Sequence, residues 1–459
     1  MTTSGHHPLL AAFQRLVRDR GGELALWSRG EGLQVTFEQL AERVAAWRQR
    51  LLRLPPYPVA LATGNVADFP ALFLALRCRD LPVVAVDGSL ALPAQLELCR
   101  RLGVAYLLHR HQGPGEPLAA GVALATLGDV EPVAAPRGTA LVKLTSGSTG
   151  APVGICLGEE ALLAGIGQIA AGMEIRPGDR VLVAIPLSHS YGFDNGVLSL
   201  AVVGTPLVLE PRFYPAALLR ALSEGEVTFF PAVPPLVRCL GETSWPAGLP
   251  LRTVISAGGP LAAEFARQFR RRAGRPVHQF YGSTETGGIT FETDPDDPAA
   301  DGTVGRPLPG VALSLAPDGR VEVASRANFG GVLGVDAELT PRTVALGDLG
   351  TLEADGRLRL TGRASDFLNV GGRKLSVLAV EDALRGATGV AELAVVGVDD
   401  PLRGDRVVAF LVAAGRELDL TRLPSGVAPR DVRVVETLPY TERGKLDRQR
   451  LRELARRPA

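Results

Sequence analysis

Pro58-Val-Ala-Leu-Ala62, a helical pattern over 69–77, then Pro82-Val-Val-Ala-Val86: this succession of strand, helix and strand decides the fold class. Short unbroken apolar runs, each opened by proline, read as strands buried on both faces. The same alternation returns at 180–185 (strand), 215–223 (helix), 227–230 (strand) and 253–256 (strand). Strands alternating with helices predict βαβ units and mostly parallel sheets covered by helices, an α/β fold. Near residue 311 the rhythm changes. The runs 313–323 and 352–360 bracket Asp318-Gly319 and Asp355-Gly356, and Asp-Gly between alternating runs predicts antiparallel hairpins, a β-rich subdomain. After the polar connection Gly362-Arg-Ala-Ser-Asp366, the chain reads as helix (376–385), strand (391–398), strand (406–412) and a last helix (447–456), a small α+β domain.

A chain of 459 residues exceeds what one core organises, so two or more domains are expected. Its 49 basic and 49 acidic residues balance, which argues against a nucleic-acid partner, and the N-terminal ten residues carry no secretory pattern. The most apolar stretch, 196–209, contains Ser199, Thr205 and Pro206 and falls short of the ~20 residues a bilayer needs, so no membrane insertion is expected and the location reads as cytoplasmic. Cys78, Cys99, Cys156 and Cys239 are dispersed, as separate thiols rather than a metal or disulfide framework. His6-His7 reads as a mobile end and His109-x-His111 as a polar loop. Only three of the 49 cations are lysine: Lys143, Lys374 and Lys445. A position that keeps an ammonium in so arginine-rich a chain is a candidate for a compact point charge.

Four segments carry chemistry. Thr145-Ser-Gly-Ser-Thr-Gly-Ala-Pro-Val-Gly154 follows an apolar run, and its N–H and O–H groups suit a phosphate, although it is no P-loop. Tyr281-Gly-Ser-Thr-Glu-Thr-Gly-Gly288 sets an aromatic that can stack on a base beside a hydroxyl and a carboxylate that can hold Mg²⁺. Gly347-Asp348-Leu-Gly350 offers an acid suited to the two hydroxyls of a ribose. Leu438-Pro-Tyr-Thr-Glu-Arg-Gly-Lys-Leu-Asp-Arg448 presents Lys445 on a glycine-containing loop.

In this order, and with Val35-Thr-Phe-Glu-Gln-Leu-Ala41, Ala257-Gly-Gly-Pro260, Gly302-Thr-Val-Gly-Arg-Pro-Leu-Pro-Gly310 and Val370-Gly-Gly372, the segments resemble the adenylate-forming superfamily of acyl-CoA synthetases, luciferase-like enzymes and peptide-synthetase adenylation domains. The resemblance implies a large N-terminal domain, 1–365, and a small mobile C-terminal domain, 366–459, hinged at Asp366. It implies that Thr145, Ser146, Gly147, Ser148, Thr149 and Gly150 cradle the outer phosphates of ATP. Ala257, Gly258 and Gly259 would face the adenine from the side opposite Tyr281, with Gly282 and Ser283 beside it. Thr284 would meet the α-phosphate, Glu285 would bind Mg²⁺, and Asp348 and Arg363 would hold the ribose. Lys445 would bridge the substrate carboxylate and the α-phosphate. His189, Ser190, Tyr191, Phe193, Val233 and Gly287 would line the acid pocket. The implied activity is ATP-dependent conversion of a small-molecule carboxylic acid to an acyl-adenylate, then transfer to the thiol of CoA.

Three departures qualify this. The phosphate segment ends Pro152-Val153-Gly154 where the family carries lysine; Lys143 either supplies that charge or caps an exposed strand end. The stretch before Asp348 lacks the family threonine. The 412–432 region is short for the helix that shapes the acceptor face, which keeps a carrier-protein phosphopantetheine open as acceptor, and a catalytically silent nucleotide-binding homologue as a third reading. Ser190 falls where amino-acid-activating relatives place an aspartate, so an aryl or medium acyl acid is expected rather than an α-amino acid; a one-turn change of register would put Asp194 there instead.

Overall fold

The computed structural model describes residues 7–110, 113–146, 152–294, 303–335, 338–340, 343–364, 367–370, 373–388, 390, 392–400, 404–412, 429, 431–440 and 446–457. Two large sheets organise the N-terminal part. In one, the strands His278–Ser283, Thr253–Ser256, Phe229–Ala232, Val181–Val183, Leu207–Leu209 and Leu24–Ser28 run parallel in that spatial order, with antiparallel strands at both edges. In the other, Thr139–Ser146, Val83–Ala85, Val59–Ala62 and Tyr106–His109 are the parallel centre. Apart from His278–Ser283, of which only Phe280 is buried, these central strands are largely buried, as their apolar runs require.

Helices fill the space between the sheets. Asp68–Arg77 is buried along its whole length, and Glu159–Gly172 touches strands of both sheets. Two charges end up inside with the first helix, and each is paired. Asp68 accepts from Arg43 at 3.0 Å and from the Trp47 indole at 3.1 Å. Arg77 reaches Glu159 at 3.0 Å. Val35-Thr-Phe-Glu-Gln39 is a helix start: Thr36 Oγ1 accepts from the Gln39 amide, and the Gln39 side chain accepts from the Thr36 amide, a reciprocal cap.

The hairpins expected at Asp318-Gly319 and Asp355-Gly356 form, in a four-stranded antiparallel sheet of Ala312–Leu315, Arg320–Ala324, Val344–Leu352 and Leu358–Arg363. Its Val321, Val323, Leu346 and Leu358 join the main core. The C-terminal part has its own sheet, of which Leu393–Asp400 shows the plan. Leu393 and Val395 pack under the helix Val377–Thr388, while Ala394 and Val396 pack under the helix Arg448–Arg456. Alternate side chains thus serve two small cores on opposite faces. A hairpin of Phe367–Val370 and Arg373–Ser376 opens this unit, without an alternating pattern to announce it.

Two histidine readings are corrected. His7 is tied down by Glu159 and Asp80, each at 3.3 Å. His109 is the fully buried end of the strand Tyr106–His109, its Nε2 3.1 Å from the Pro114 carbonyl oxygen. His6 and His111 lie outside the described residues. The apolar stretch at 196–209 belongs mostly to a π-helix, Phe193–Val203, that packs against Glu159–Gly172. Among the described residues no helix is long and apolar enough to cross a membrane.

Candidate active site

Strand pairing brings the nucleotide candidates together. Asp348 stands opposite Arg363 across the Val344–Leu352 and Leu358–Arg363 pair, and Arg363 Nε donates to Asp348 Oδ1 at 2.7 Å. From the first large sheet the Tyr281 hydroxyl donates to Asp348 Oδ2 at 2.7 Å. Burial, reinforced by the Asp348 carboxylate, pushes the Tyr281 phenol far above its ordinary range, so it stays a donor. Two of the carboxylate's four acceptor positions are used, which leaves capacity for a vicinal diol.

Thr284 and Glu285 occupy the tight connection between the antiparallel strands His278–Ser283 and Gly287–Phe291. The turn is pinned by the Thr286 amide donating to Ser283 Oγ at 3.2 Å and by the Phe329 amide donating to the Glu285 carbonyl at 2.8 Å. A Cβ on Gly282 would lie 2.5 Å from the Gly287 carbonyl oxygen, so a side chain there would force the pair apart. Ala257, Gly258 and Gly259 leave the end of the strand Thr253–Ser256, and the Ala257 amide donates to the Ala232 carbonyl at 3.2 Å. A Cβ on Gly258 would touch Val233, at 4.0 Å.

The acid candidates lie between these loops and the phosphate hairpin. Asn65 holds the start of their segment, donating to the Ile185 carbonyl at 3.0 Å and accepting from the Leu187 amide at 2.8 Å. Close packing continues at Gly192, where a Cβ would meet the Pro186 carbonyl oxygen at 2.2 Å. His189 Nε2 sits 3.2 Å from Asp87 Oδ2. Burial alone would raise the Asp87 carboxyl, but hydrogen bonds from His189 and Ser89 hold it well below the usual carboxylate range. The Tyr191 hydroxyl donates to the Ala232 carbonyl at 3.3 Å, beside Val233, and its ring lies 5.7 Å from that of Phe280.

Two expectations change. Phe193 is 1% exposed and meets Phe73 edge to face at 4.9 Å in the main core, so its ring braces the segment from behind. Lys143 does not cap an exposed strand end, and its ammonium is engaged by other side chains. It is 2% exposed, and its Nζ donates to Asp194 Oδ1 at 2.7 Å, Asp194 Oδ2 at 2.9 Å and Ser190 Oγ at 2.9 Å. Thr145 and Ser146 complete the strand Thr139–Ser146, opposite Val153 and Pro152. Gly147, Ser148, Thr149 and Gly150 lie outside the described residues, as do Asp366 and Lys445. Asp87 and Asn65 are site-building residues that sequence reasoning missed; Lys143 and Asp194 were each singled out, but nothing in the sequence paired them.

Among the described residues no three His, Cys, Asp or Glu side chains gather as a metal cluster. A single carboxylate, Glu285, close enough to Tyr281 to act on its charge, fits a cation that is held mainly by a nucleotide's phosphates.

The profile of the AMP-binding enzyme family matches residues 13–331, and that of the AMP-binding enzyme C-terminal domain matches 379–445. The chain belongs to the AMP-binding enzyme family. Within this family it is 28% identical to a methyl-dioxo-octahydroindenyl-propanoyl:CoA ligase of Mycobacterium tuberculosis, over 97% of this chain and 98% of that one. It is 29% identical to the indoleacetate–CoA ligase of Aromatoleum aromaticum, over 89% and 81%. Among solved structures, the amide bond synthetase of Marinactinospora thermotolerans superposes with a TM-score of 0.80 at 27% identity, covering 97% of this chain and 100% of that one.

Proposed function

We propose that this AMP-binding enzyme is an acid–thiol ligase. An aryl or medium acyl carboxylate attacks the α-phosphorus of ATP, the bond to pyrophosphate breaks, and an acyl-adenylate forms. The thiol of CoA then displaces AMP, giving the thioester and releasing the thiol proton. The observation that carries the reading is the convergence of Tyr281 and Arg363 on Asp348, beside the turn that holds Thr284 and Glu285. Asp348 receives the ribose hydroxyls, Tyr281 and the 257–259 loop flank the base, and residues 147–150 receive the outer phosphates. Glu285 holds Mg²⁺, which offsets charge on the phosphates. Lys445 supplies the point charge needed where carboxylate meets phosphate, since two anions must approach each other in the transition state. Tyr191 and Val233 contribute apolar surface to the acid pocket.

The division at 365/366, with Asp366 as hinge, belongs to the same reading. It is supported by the C-terminal unit's separate apolar cores. Rotation there would withdraw Lys445 once adenylation is complete and admit the thiol. A cytoplasmic location is part of the same reading, since ATP and CoA are both available there.

Acid-dependent exchange of labelled pyrophosphate into ATP, over a panel of neutral aryl and alkyl acids, tests the first step. Exchange with at least one acid is expected, followed by a thioester when CoA is added. A protein that binds ATP but exchanges with no acid would overturn the reading in favour of a silent homologue. Turnover with a phosphopantetheinylated carrier, or with an amine giving an amide, but not with CoA would relocate the acceptor.

A further inference from the structure

A lysine and an aspartate are buried together beside the segment read above as lining the acid pocket, and none of the steps above uses them. Lys143 reaches in from the strand Thr139–Ser146, which precedes the residues read as phosphate-binding; Asp194 stands in the first turn of the π-helix Phe193–Val203. The two residues are 2% and 7% exposed. An ammonium has three protons, and all three are placed: two on Asp194 and one on Ser190. Ser190 thus accepts from the pair, and its neighbour Tyr191 contacts Ala232. The cluster therefore lies between the strand that leads to the phosphates and the loops that flank Tyr281, where an acid must sit to reach an α-phosphorus.

The pair holds two full charges and sums to none. Apolar residues of similar volume often replace a buried ion pair at no loss of stability, so packing alone is a weak reason for one. Two interlocked charges do, however, deny a counter-charge to anything that enters beside them. An acid carrying a second carboxylate finds the ammonium already taken. One carrying an ammonium finds the carboxylate taken. Either must shed its water without replacement, which is costly.

We propose that Lys143 and Asp194 form the charge selector of the acid pocket: the lysine is a tethered internal ammonium that occupies Asp194, and the closed pair restricts the enzyme to acids with no second charge. The inference rests on the ligase reading. It makes opposite demands on two substitutions. Lys143→Met leaves Asp194 as an unpaired buried carboxylate, which an acid with an ammonium at its far end can satisfy. Asp194→Asn leaves the ammonium, which the second carboxylate of a dicarboxylic acid can satisfy.

The test uses pyrophosphate exchange with three matched series: ω-amino acids without an α-amino group, dicarboxylic acids, and their uncharged isosteres. Wild type is expected to prefer the uncharged series. Lys143→Met should raise kcat/KM for the amino series relative to the neutral isosteres on the order of 10²-fold, and Asp194→Asn should do so for the dicarboxylic series. A second measurement covers variants too unstable to assay. Propylammonium chloride should raise the melting temperature of Lys143→Ala saturably, by refilling the vacated position, and leave wild type unmoved at equal ionic strength. Folded variants that keep the wild-type ranking, or a Lys143→Ala melt indifferent to propylammonium, would overturn the selector alone. A wild type inactive with every acid would overturn it together with the ligase reading, so the two failures are distinguishable.

Discussion

Removing the Asp348 carboxylate tests the nucleotide site most directly, because its expected cost can be assembled from the contacts around it. In the free protein Asp348 accepts two charge-assisted hydrogen bonds of 2.7 Å, from Tyr281 and Arg363, and its side chain is 14% exposed. Asp348→Ala loses both in the free and the bound protein alike, so that loss falls on stability and not on affinity. The Arg363 contact matters little, because the guanidinium is 61% exposed and such pairs contribute under about 1 kcal/mol. The orphaned Tyr281 hydroxyl costs more, about 1–3 kcal/mol, and should appear as a lowered melting temperature that Tyr281→Phe partly reverses. Affinity depends on what the carboxylate adds in the complex. Two ribose hydroxyls donating to a carboxylate that keeps its protein partners are worth together about 2–3 kcal/mol, a rise in Kd for ATP of roughly 30- to 150-fold. Titration calorimetry with ATP and 2′-deoxy-ATP, on wild type and Asp348→Ala, closes a thermodynamic cycle. Wild type should bind the deoxynucleotide more weakly, and the variant should not distinguish the two. An equal deoxy penalty in both proteins would refute the assignment, whatever Asp348→Ala does to affinity overall.

Three further outcomes follow from the same geometry and reading. Lys445→Ala should slow pyrophosphate exchange about 10²- to 10³-fold while sparing thioester formation from a supplied acyl-adenylate; equal losses in both half-reactions, followed by rapid quench, would remove its transition-state role. Thiol titration of the native enzyme should find the exposed Cys239 reactive, and Cys99 and Cys156, whose thiols burial pushes up to about 12, silent until unfolding; early labelling of either would contradict the packing around them. Burial holds the His278 imidazole below its ordinary 6.5, so the native state prefers it neutral, and its contribution is complete above 6.5 and lost as the pH falls from there toward the lower native value. His278→Gln should flatten the melting temperature against pH in that window, and an unchanged slope would assign the acid sensitivity elsewhere.

The sequence by itself determined the α/β class, the change to antiparallel hairpins at Asp318-Gly319 and Asp355-Gly356, and the order of the segments that identify the family. Each of these is a local property. Apolar period, proline placement and turn chemistry act within a few residues and survive any packing that buries the right face. Only the tertiary structure decided which charges meet. Lys143 and Asp194 lie 51 residues apart and His189 and Asp87 lie 102 apart, and Tyr281 reaches Asp348 across 67. Lys143 stood out by its scarcity, yet that scarcity suited a phosphate contact as well as a buried pair. What chose between them was the seating of the π-helix Phe193–Val203 beside the strand Thr139–Ser146. That seating brings a carboxylate within 2.7 Å of the ammonium, and in a dry interior an ammonium goes to the nearest carboxylate.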